Sequence, residues 1–176
     1  MRPLTAAKPP LTVRDATLAD LATIDDIHVR SRQLAYRGQV SDHYLDVTMP
    51  AASALDWQRK LPQLLAGAGR ALIAESLGEP IGFVAAFAPD ERGSVYVNNL
   101  HARPDRKGVG AGSALLDAAT QWARASGARA MHLKVLATNA PAIGFYASRG
   151  WREIDRVEDT WAGEVVVALV YAIDLT

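Results

Sequence analysis

The sequence predicts one α/β domain built on a mixed β-sheet. Three observations predict it. Strand-like and helix-like apolar patterns alternate along the chain, no internal repeat or linker interrupts them, and 49% of the 176 residues are hydrophobic. A chain of this length can bury a full hydrophobic core as one domain. We predict a flexible N-terminal lead-in over residues 1–10 and a single domain over residues 11–176.

Two helices and a β-hairpin are predicted in the first half of the chain. Residues 11–16 form a strand, and Thr17 and Asp20 make a capping-box pattern before a helix. That helix carries apolar residues at helical spacing, namely Leu21, Ile24, Ile27 and Leu34. After a turn-rich segment over 36–46, a second helix over 54–65 contains Pro62, which should disturb it. Two apolar runs over 70–76 and 81–88, separated by the turn-forming residues LGEP, predict the hairpin.

The second half of the chain is predicted to hold four strands and two helices. The strands cover 94–102, 130–137, 151–157 and 164–175, and the helices cover 113–125 and 139–149. The first of these helices has one apolar face, formed by Leu115, Leu116, Ala119, Trp122 and Ala123. Gly127 should cap its C-terminus, and Gly150 should end the second helix.

Composition and charge exclude several function classes. Lys and Arg number 19, as do Asp and Glu, so the formal net charge is zero and we expect no nucleic acid or membrane as partner. Without cysteine, the chain has no disulfide, thiolate nucleophile or cysteine-ligated metal, and we expect no metal. The first 14 residues lack the apolar run of a signal peptide, and no stretch is apolar for long enough to cross a bilayer. We therefore predict a cytoplasmic protein.

The stretch RPDRKGVGAGSALL (103–116) predicts an anion site at the start of a helix. The first amides of a helix have no intrahelical partner, and glycine lets a ligand come close to the backbone. Arg103, Arg106 and Lys107 supply positive charge. A nucleotide P-loop would need Lys-Ser or Lys-Thr after these glycines, and a dinucleotide loop would need glycine where Ser113 stands. A glycine turn that only joins a strand to a helix is an open alternative.

The same stretch resembles a known protein family. KGVGAG (107–112) is similar to the acyl-CoA pyrophosphate loop of the GNAT superfamily of N-acetyltransferases, with Lys107 where that family has Arg or Gln. NNLHARP before it resembles the central strand of the family. LKVLATNAPAIGFYASRGW after it resembles the next strand, the asparagine, the helix with its tyrosine and the closing Gly-aromatic pair. The resemblance extends from about Val13 to Leu175 and implies the GNAT fold, a mixed, mostly antiparallel sheet with helices on both faces.

The resemblance also implies acetyl-CoA as co-substrate and a set of site residues. Loop amides would bind the pyrophosphate, the pantetheine arm would pair with the central strand, and Tyr146 would be the catalytic residue that protonates the leaving thiolate. The implied cofactor-binding residues are Leu100, His101, Ala102, Lys107, Gly108, Val109, Gly110, Ala111, Gly112, Ser113, Asn139, Ala142 and Tyr146.

Helical spacing supports one part of this set. Asn139 and Tyr146 are seven residues apart, so they should lie nearly over one another with Ala142 between them. Phe145 should instead enter the core with Trp151. Two alternatives are open: Asn139 as a helix N-cap only, and Tyr146 as a packing aromatic only.

The implied function is transfer of the acetyl group of acetyl-CoA to a primary amine of a small molecule or peptide. The alternative is an acyl-CoA-binding GNAT-fold regulatory module without turnover. It stays open because many relatives carry Glu near the position of Tyr96, and this strand offers only Asn98, Asn99 and His101 as polar residues. No general base is assigned. A nucleotide-dependent enzyme is a third, weaker interpretation.

The acceptor is not defined by the sequence. In relatives, the first two helices and their connecting loop form the rim of the amine site. Polar residues of that segment that could contact an acceptor are Tyr36, Asp42, His43 and Tyr44. A homodimer is compatible with the sequence.

Overall fold

The structure is a computed structural model that describes residues 10–161 and 163–176. Apart from Pro10, the predicted lead-in lies outside the described residues. The strands are β1 (Leu11–Asp15), β2 (Gly69–Ser76), β3 (Glu79–Phe87), β4 (Ser94–Ala102), β5 (Ala130–Leu136), β6 (Arg152–Trp161) and β7 (Glu164–Asp174). The α-helices are α1 (Leu21–Tyr36), α2 (Met49–Gln63), α3 (Ala111–Ala125) and α4 (Ala140–Ala147).

All seven strands belong to one sheet, in the order β1-β2-β3-β4-β5-β7-β6. Each neighbouring pair is antiparallel except β4 and β5, which run parallel. The parallel ladder is short and joins Ser94 to Ala130, Val95 to Met131 and Tyr96 to His132. The predicted mixed, mostly antiparallel sheet is therefore confirmed.

Helices cover both faces of this sheet, as predicted. On one face, α3 and α4 pack on a core cluster that includes Leu115, Met131 and Trp151. On the other face, α1 and α2 form a second cluster, in which Ile24 and Trp57 are fully buried. The sheet thus separates two apolar layers.

Several element boundaries and one core position differ from the prediction. Helix α2 begins at Met49, five residues before position 54, because a π-helical turn (Tyr44–Thr48) leads directly into it. Pro62 lies in the last turn of α2, where its missing N–H removes one helical hydrogen bond without breaking the earlier turns. A second π-helical turn (Leu64–Ala68) follows α2. Leu34 is 54% exposed, so the expectation that it packs with the apolar face of α1 is wrong.

Asp20 fixes the start of α1 against β1. Its carboxylate accepts hydrogen bonds from Arg14 Nη1 at 2.9 Å, from Arg14 Nη2 at 2.8 Å and from the Thr17 backbone N–H at 2.7 Å. The Arg14 contact is the main reason why the pKa of Asp20 falls to about 2, although burial opposes the shift. The predicted capping-box pattern therefore also forms an ion pair between the strand and the helix.

Replacing Asp20 by asparagine should reduce the free energy of unfolding by about 1–2 kcal/mol near neutral pH. A carboxyl group with a depressed folded-state pKa contributes stability above its unfolded-state pKa and loses it as the pH falls through the folded-state value. The difference between Asp20→Asn and the parent should therefore shrink as the pH drops from about 4 towards about 2. Urea denaturation of the variant and the parent, at neutral pH and at a pH of about 2, measures the difference in the free energy of unfolding under both conditions.

The matched control is Asp117→Asn, because Asp117 is an exposed carboxylate on α3. This variant should match the parent at both pH values. A stability loss in Asp20→Asn that is the same at both pH values would contradict the assignment to the carboxylate.

Candidate functional site

Strands β4 and β5 separate just after their three shared pairs. A β-bulge in β4 contributes to this separation: Ala86 of β3 pairs with Val97, and the next residue, Ala85, pairs with Asn99. Asn98 is thus the extra residue, and an extra residue bends the strand that carries it. Beyond Tyr96, the backbone groups of β4 that face β5 have no strand partner in the described part of the chain. The sheet therefore opens into a fork in its centre.

The fork leads into two adjoining cavities. The first, which we call the fork cavity, has a volume of about 320 Å³ and is lined by β4, β5, α1, α2 and α4. The second, the loop cavity, measures about 560 Å³ and lies between β4, the end of α1 and the start of α4. The two cavities have six lining residues in common: Arg32, Tyr36, Leu100, His101, Asn139 and Ala142. The two spaces can therefore receive one extended ligand along β4.

The glycine loop ends in the N-terminus of α3. Gly108 and Gly110 have φ values of 82° and 89°, in the left-handed region that favours glycine, and Gly110 is the N-cap. The first helical hydrogen bond runs from the Ala114 N–H to the Gly110 carbonyl oxygen at 3.0 Å. The amides of residues 111–113 therefore lack helical acceptors, as expected for an anion site at a helix start.

Positive charge around this helix start differs from the expectation. Arg103 is paired with Asp105 at 2.7 Å and Arg106 with Glu79 at 2.6 Å, so both guanidinium groups already have a carboxylate partner within the protein. Lys107 is exposed and lines the loop cavity. Arg149, which sequence analysis missed, donates a hydrogen bond to the Ser113 hydroxyl. Only the packing of α4 beside α3 brings this residue to the loop, so no local sequence signal could have indicated it.

The face of α4 meets the prediction in part. Asn139, Ala142 and Tyr146 line the fork cavity together. The Asn139 side chain accepts a hydrogen bond from the Ala142 N–H at 3.3 Å and is therefore the N-cap of α4, while its role towards a cofactor stays a prediction. The Tyr36 side chain is hydrogen-bonded to Asn139 as well.

Tyr146 is 8% exposed, and burial raises the pKa of its phenol above the ordinary value of 10. Its ring lies 5.6 Å from that of Trp151, centroid to centroid. Phe145 is only half-buried but packs against the core cluster that contains Trp151, so the expectation that it enters this core is met in part. Phe145 is half-buried beside Gly112, and the Arg149 guanidinium lies 3.7 Å from its ring centroid. Because residue 112 is glycine, α3 leaves room for the Phe145 ring beside it. With Phe145 on that side of α4, Tyr146 faces the sheet.

Two neutral histidines lie at the base of the fork cavity. His28 of α1 is 7% exposed, and its ring centroid is 4.9 Å from that of His101. Trp57 Nε1 donates to His28 Nδ1 at 3.0 Å, and the Ser31 hydroxyl is 3.0 Å from His101 Nδ1. Burial is the main reason why the pKa of His28 falls to about 2 and that of His101 to about 3. The cations Arg32 and Lys60 contribute to both shifts, and His101 contributes to that of His28. Neither ring carries a charge near neutral pH.

The predicted cofactor-binding residues fall into two groups. Seven of them line the two cavities: Leu100, His101, Ala102, Lys107, Asn139, Ala142 and Tyr146. The other six, residues 108–113, form the glycine loop and the helix start. Their roles towards a ligand stay predictions.

Of the four residues expected to contact an acceptor, one lines a cavity. Only Tyr36 lines either cavity, whereas Asp42, His43 and Tyr44 line neither, and Asp42 is paired with Arg37 at 2.8 Å. Sequence analysis missed Arg32, Asp56 and Lys60, which line the fork cavity from the two helices. A helix-spaced set of polar residues is typical of a solvated face, so nothing in the sequence distinguished them.

Two further features can be stated for the part of the chain that the structure describes. None of its helices combines the length and apolar character needed to span a membrane. Nor do three or more His, Asp or Glu side chains gather there as a metal site would require.

Comparison with known proteins identifies the family. The acetyltransferase (GNAT) family profile matches residues 30–151, which include the fork, the glycine loop and α4. The chain belongs to the GNAT acetyltransferase family. An N-acetyltransferase of Methanocaldococcus jannaschii is 28% identical over 152 residues, a match that covers 84% of this chain and 63% of that relative. This GNAT chain therefore spans less than two thirds of the length of the curated relative it matches.

Solved structures confirm the GNAT fold. PaiA N-acetyltransferase from Thermoplasma acidophilum, crystallised in complex with coenzyme A, has a TM-score of 0.77 at 17% identity and is matched over 94% of this chain and 99% of its own. A GCN5-related N-acetyltransferase from Rhodopseudomonas palustris has a TM-score of 0.75 at 26% identity, with 96% of both chains covered. The predicted fold class and family are thus both confirmed.

Proposed function

We propose that this protein is an N-acetyltransferase that moves the acetyl group of acetyl-CoA to a primary amine of a small molecule or peptide. The observation that carries the proposal is the fork between β4 and β5, with the free amides of a helix start at one end and Tyr146 at the other. An extended thioester with a pyrophosphate needs both ends and an unpaired strand edge between them. The coenzyme A bound to the Thermoplasma acidophilum PaiA protein supports the same ligand class.

Each part of the proposed co-substrate has a matching part of the fork. The pyrophosphate would accept hydrogen bonds from the amides of residues 111–113, with Lys107 and Arg149 adding positive charge. The pantetheine amides would pair with the unpaired backbone edge of Leu100, His101 and Ala102, as an added strand does. The thioester would then lie at the bulge, beside Asn98 and Tyr146. No metal enters this arrangement.

The reaction can be balanced with these residues. The lone pair of a neutral amine attacks the thioester carbonyl carbon, which forms the C–N bond and places negative charge on the carbonyl oxygen. When the C=O bond forms again, the C–S bond breaks, and the Tyr146 hydroxyl proton goes to the CoA sulfur. The proton lost by the amine nitrogen then restores the tyrosine hydroxyl. Because the phenol is a weaker acid than the thiol and burial raises its pKa further, the transfer is completed when the amine proton restores the tyrosine hydroxyl.

Replacing Lys107 by alanine should weaken coenzyme A binding about five- to tenfold, because an exposed lysine contributes one charge-assisted contact to the pyrophosphate. Pantetheine, which has no pyrophosphate, should bind the variant as it binds the parent. Isothermal titration with both ligands measures the contrast. Arg124→Ala, at the opposite end of α3, serves as the control and should leave both affinities unchanged. Equal losses for both ligands would show that Lys107 acts through folding.

The experiment that tests the proposed function is an amine panel assayed for thiol release from acetyl-CoA. Amino acids, peptides, polyamines and aromatic amines represent the main acceptor classes. Sustained thiol release that depends on one amine class, with the acetylated amine identified by mass spectrometry, would support turnover. Tight coenzyme A binding without thiol release for any class would favour the regulatory module instead.

A further inference from the structure

Two buried amide oxygens of β4 have no hydrogen-bond partner among the described residues. They are Oδ1 of Asn98 and Oδ1 of Asn99. Both residues line the fork cavity, although successive residues of a regular strand point to opposite faces of a sheet. The bulge at Asn98 interrupts this alternation, so one cavity receives both amide groups. Buried polar atoms without a partner are rare, and a buried acceptor needs a donor.

Hydrogen bonding fixes the tautomer of His28, which lies beside Asn99. An indole N–H can only donate, so His28 Nδ1 must accept from Trp57 Nε1 at 3.0 Å. The Ser53 hydroxyl, 3.1 Å from the same nitrogen, uses its proton on Asp25 Oδ1 at 2.6 Å. The proton of the neutral ring is therefore on Nε2, which must donate.

The tautomer of His28 in turn gives the Asn99 oxygen a partner. Asn99 is 9% exposed, and with its Nδ2 3.4 Å from His28 Nε2 the amide would face a second N–H donor. Turning the amide end for end removes this conflict, because Oδ1 then accepts from Nε2–H. The chain Trp57–His28–Asn99 thus uses the Asn99 oxygen within the protein and leaves the Asn99 NH₂ group as a donor.

Asn98 is therefore the bulge residue whose oxygen is available to a ligand. Its side chain is half-buried, and its Oδ1 is buried without a donor in the described part of the chain. Tyr146, the proposed proton donor, lines the same cavity from α4. A nitrogen that approaches a thioester held at the bulge carries N–H groups, which are the donors that this oxygen needs.

We propose that Asn98 positions the attacking amine, with its Oδ1 accepting one N–H of the acceptor nitrogen. This inference rests on the proposed function and adds a substrate-binding residue to the same site. While one N–H is held in this way, the lone pair of the nitrogen can point at the thioester carbon. As the C–N bond forms, positive charge develops on the nitrogen, so its hydrogen bond to the amide oxygen is stronger in the transition state than in the ground state.

The same contact should make the site selective for primary amines. After its attack, the nitrogen of a primary amine carries two protons. One leaves and restores the Tyr146 hydroxyl, and the other stays on the nitrogen of the amide product, bound to Asn98. A secondary amine has a single N–H, which cannot both stay on Asn98 and leave. An amide oxygen is too weak a base to take this proton itself.

The test compares primary amines with their N-methyl analogues. The probes are 2-phenylethylamine, glycinamide and the best acceptor of the amine panel, and the measured quantity is the ratio of kcat/KM for the primary amine to that for its N-methyl analogue. We expect a ratio of about tenfold or more in the parent. In Asn98→Leu, which lacks the acceptor but has a similar size, the ratio should fall by about tenfold. The bulk of the methyl group is the same for both proteins, so it does not account for a change in the ratio.

Two control variants make the assignment specific to the Asn98 oxygen. Asn98→Asp keeps an oxygen acceptor at the same place and should retain the preference for primary amines. Gln121→Leu makes the amide-to-leucine change on the exposed face of α3 and should leave every ratio unchanged. Coenzyme A must still raise the Tm of each variant, which shows that it is folded. An equal loss for primary and N-methyl amines in Asn98→Leu, or the same fall of the ratio in Asn98→Asp, would contradict the inference.

A binding measurement on the parent protein separates this inference from the proposed function. In the ¹⁵N-labelled protein–coenzyme A complex, where no turnover occurs, the side-chain NH₂ signal of Asn98 is identified by its loss in Asn98→Asp. Glycinamide is titrated at a pH at which its amine is uncharged, beside N,N-dimethylglycinamide, whose amine then has no N–H. If only glycinamide shifts the signal and no amine is acetylated, the Asn98 contact stands and the enzymatic function fails. If amines are acetylated but both probes shift the signal equally, or neither does, the function stands and Asn98 does not hold the amine.

Discussion

Replacing Tyr146 by phenylalanine should lower kcat by about a hundred- to a thousandfold while leaving acetyl-CoA affinity and the fold intact. The variant loses one hydroxyl and keeps the ring that packs against Trp151. Protonation of the leaving thiolate matters in the transition state and little in the ground state, so the loss belongs to turnover. The defect should shrink with an acyl donor whose thiol is more acidic, since that thiolate leaves without a proton.

Tyr171→Phe provides a matched control for this variant. Tyr171 of β7 is 7% exposed, packs in the same core cluster and lines neither cavity, so loss of its hydroxyl should leave kcat unchanged. Single-turnover measurements are needed alongside steady-state rates, because slow product release can hide a chemical defect. An unchanged single-turnover rate in Tyr146→Phe would remove Tyr146 from the mechanism and leave it a packing aromatic.

Replacing Gly110 by aspartate should abolish coenzyme A binding, with a loss of about a hundredfold or more in affinity. Gly110 is the N-cap of α3, and no atom lies within 4 Å of where its Cβ would be, so the new side chain has room. Its carboxylate would, however, stand among the phosphate oxygens and bind the free helix amides in their place. The rise in Tm that coenzyme A causes in the parent should disappear in the variant.

Two controls separate charge from backbone strain in this variant. Gly127→Asp places the same side chain at a glycine with a similar positive φ, 77°, at the other end of the same helix. Gly110→Ala introduces the strain at position 110 without the charge. We expect both controls to retain a Tm increase with coenzyme A. If Gly110→Asp binds coenzyme A as the parent does, the loop assignment is wrong.

The fold could be predicted from local patterns because its elements carry clear signals. The apolar runs of β2 and β3 flank a short turn, and the glycine loop precedes an amphipathic α3. Boundaries were less accurate where the backbone changes helix type, as before Met49, since a π-helical turn has no distinct composition. Leu34 was misjudged because helical spacing cannot show where a helix extends past the sheet.

Some residues of the candidate site can be predicted from local sequence patterns, and others depend on contacts between distant parts of the chain. The loop residues and the α4 face follow from spacing, so residues 107–113, Asn139 and Tyr146 could be found. The histidine pair could not, since His28 and His101 lie 73 positions apart in the sequence and meet only through the packing of α1 on β4. The sites of Arg149 and Lys60 depend on tertiary packing too, which brings Arg149 to Ser113 and Lys60 to the fork cavity.

The short parallel ladder between β4 and β5 also has a mechanical consequence. Among the described residues, three pairs join the β1–β4 part of the sheet to the β5–β7 part, and the segment with α3 is the covalent link between them. If the proposed ligand pairs with β4 inside the fork, we expect it to add contacts between the two halves of the sheet. We therefore expect the amide protons of β4 and β5 to exchange more slowly with solvent in the occupied protein than in the empty one.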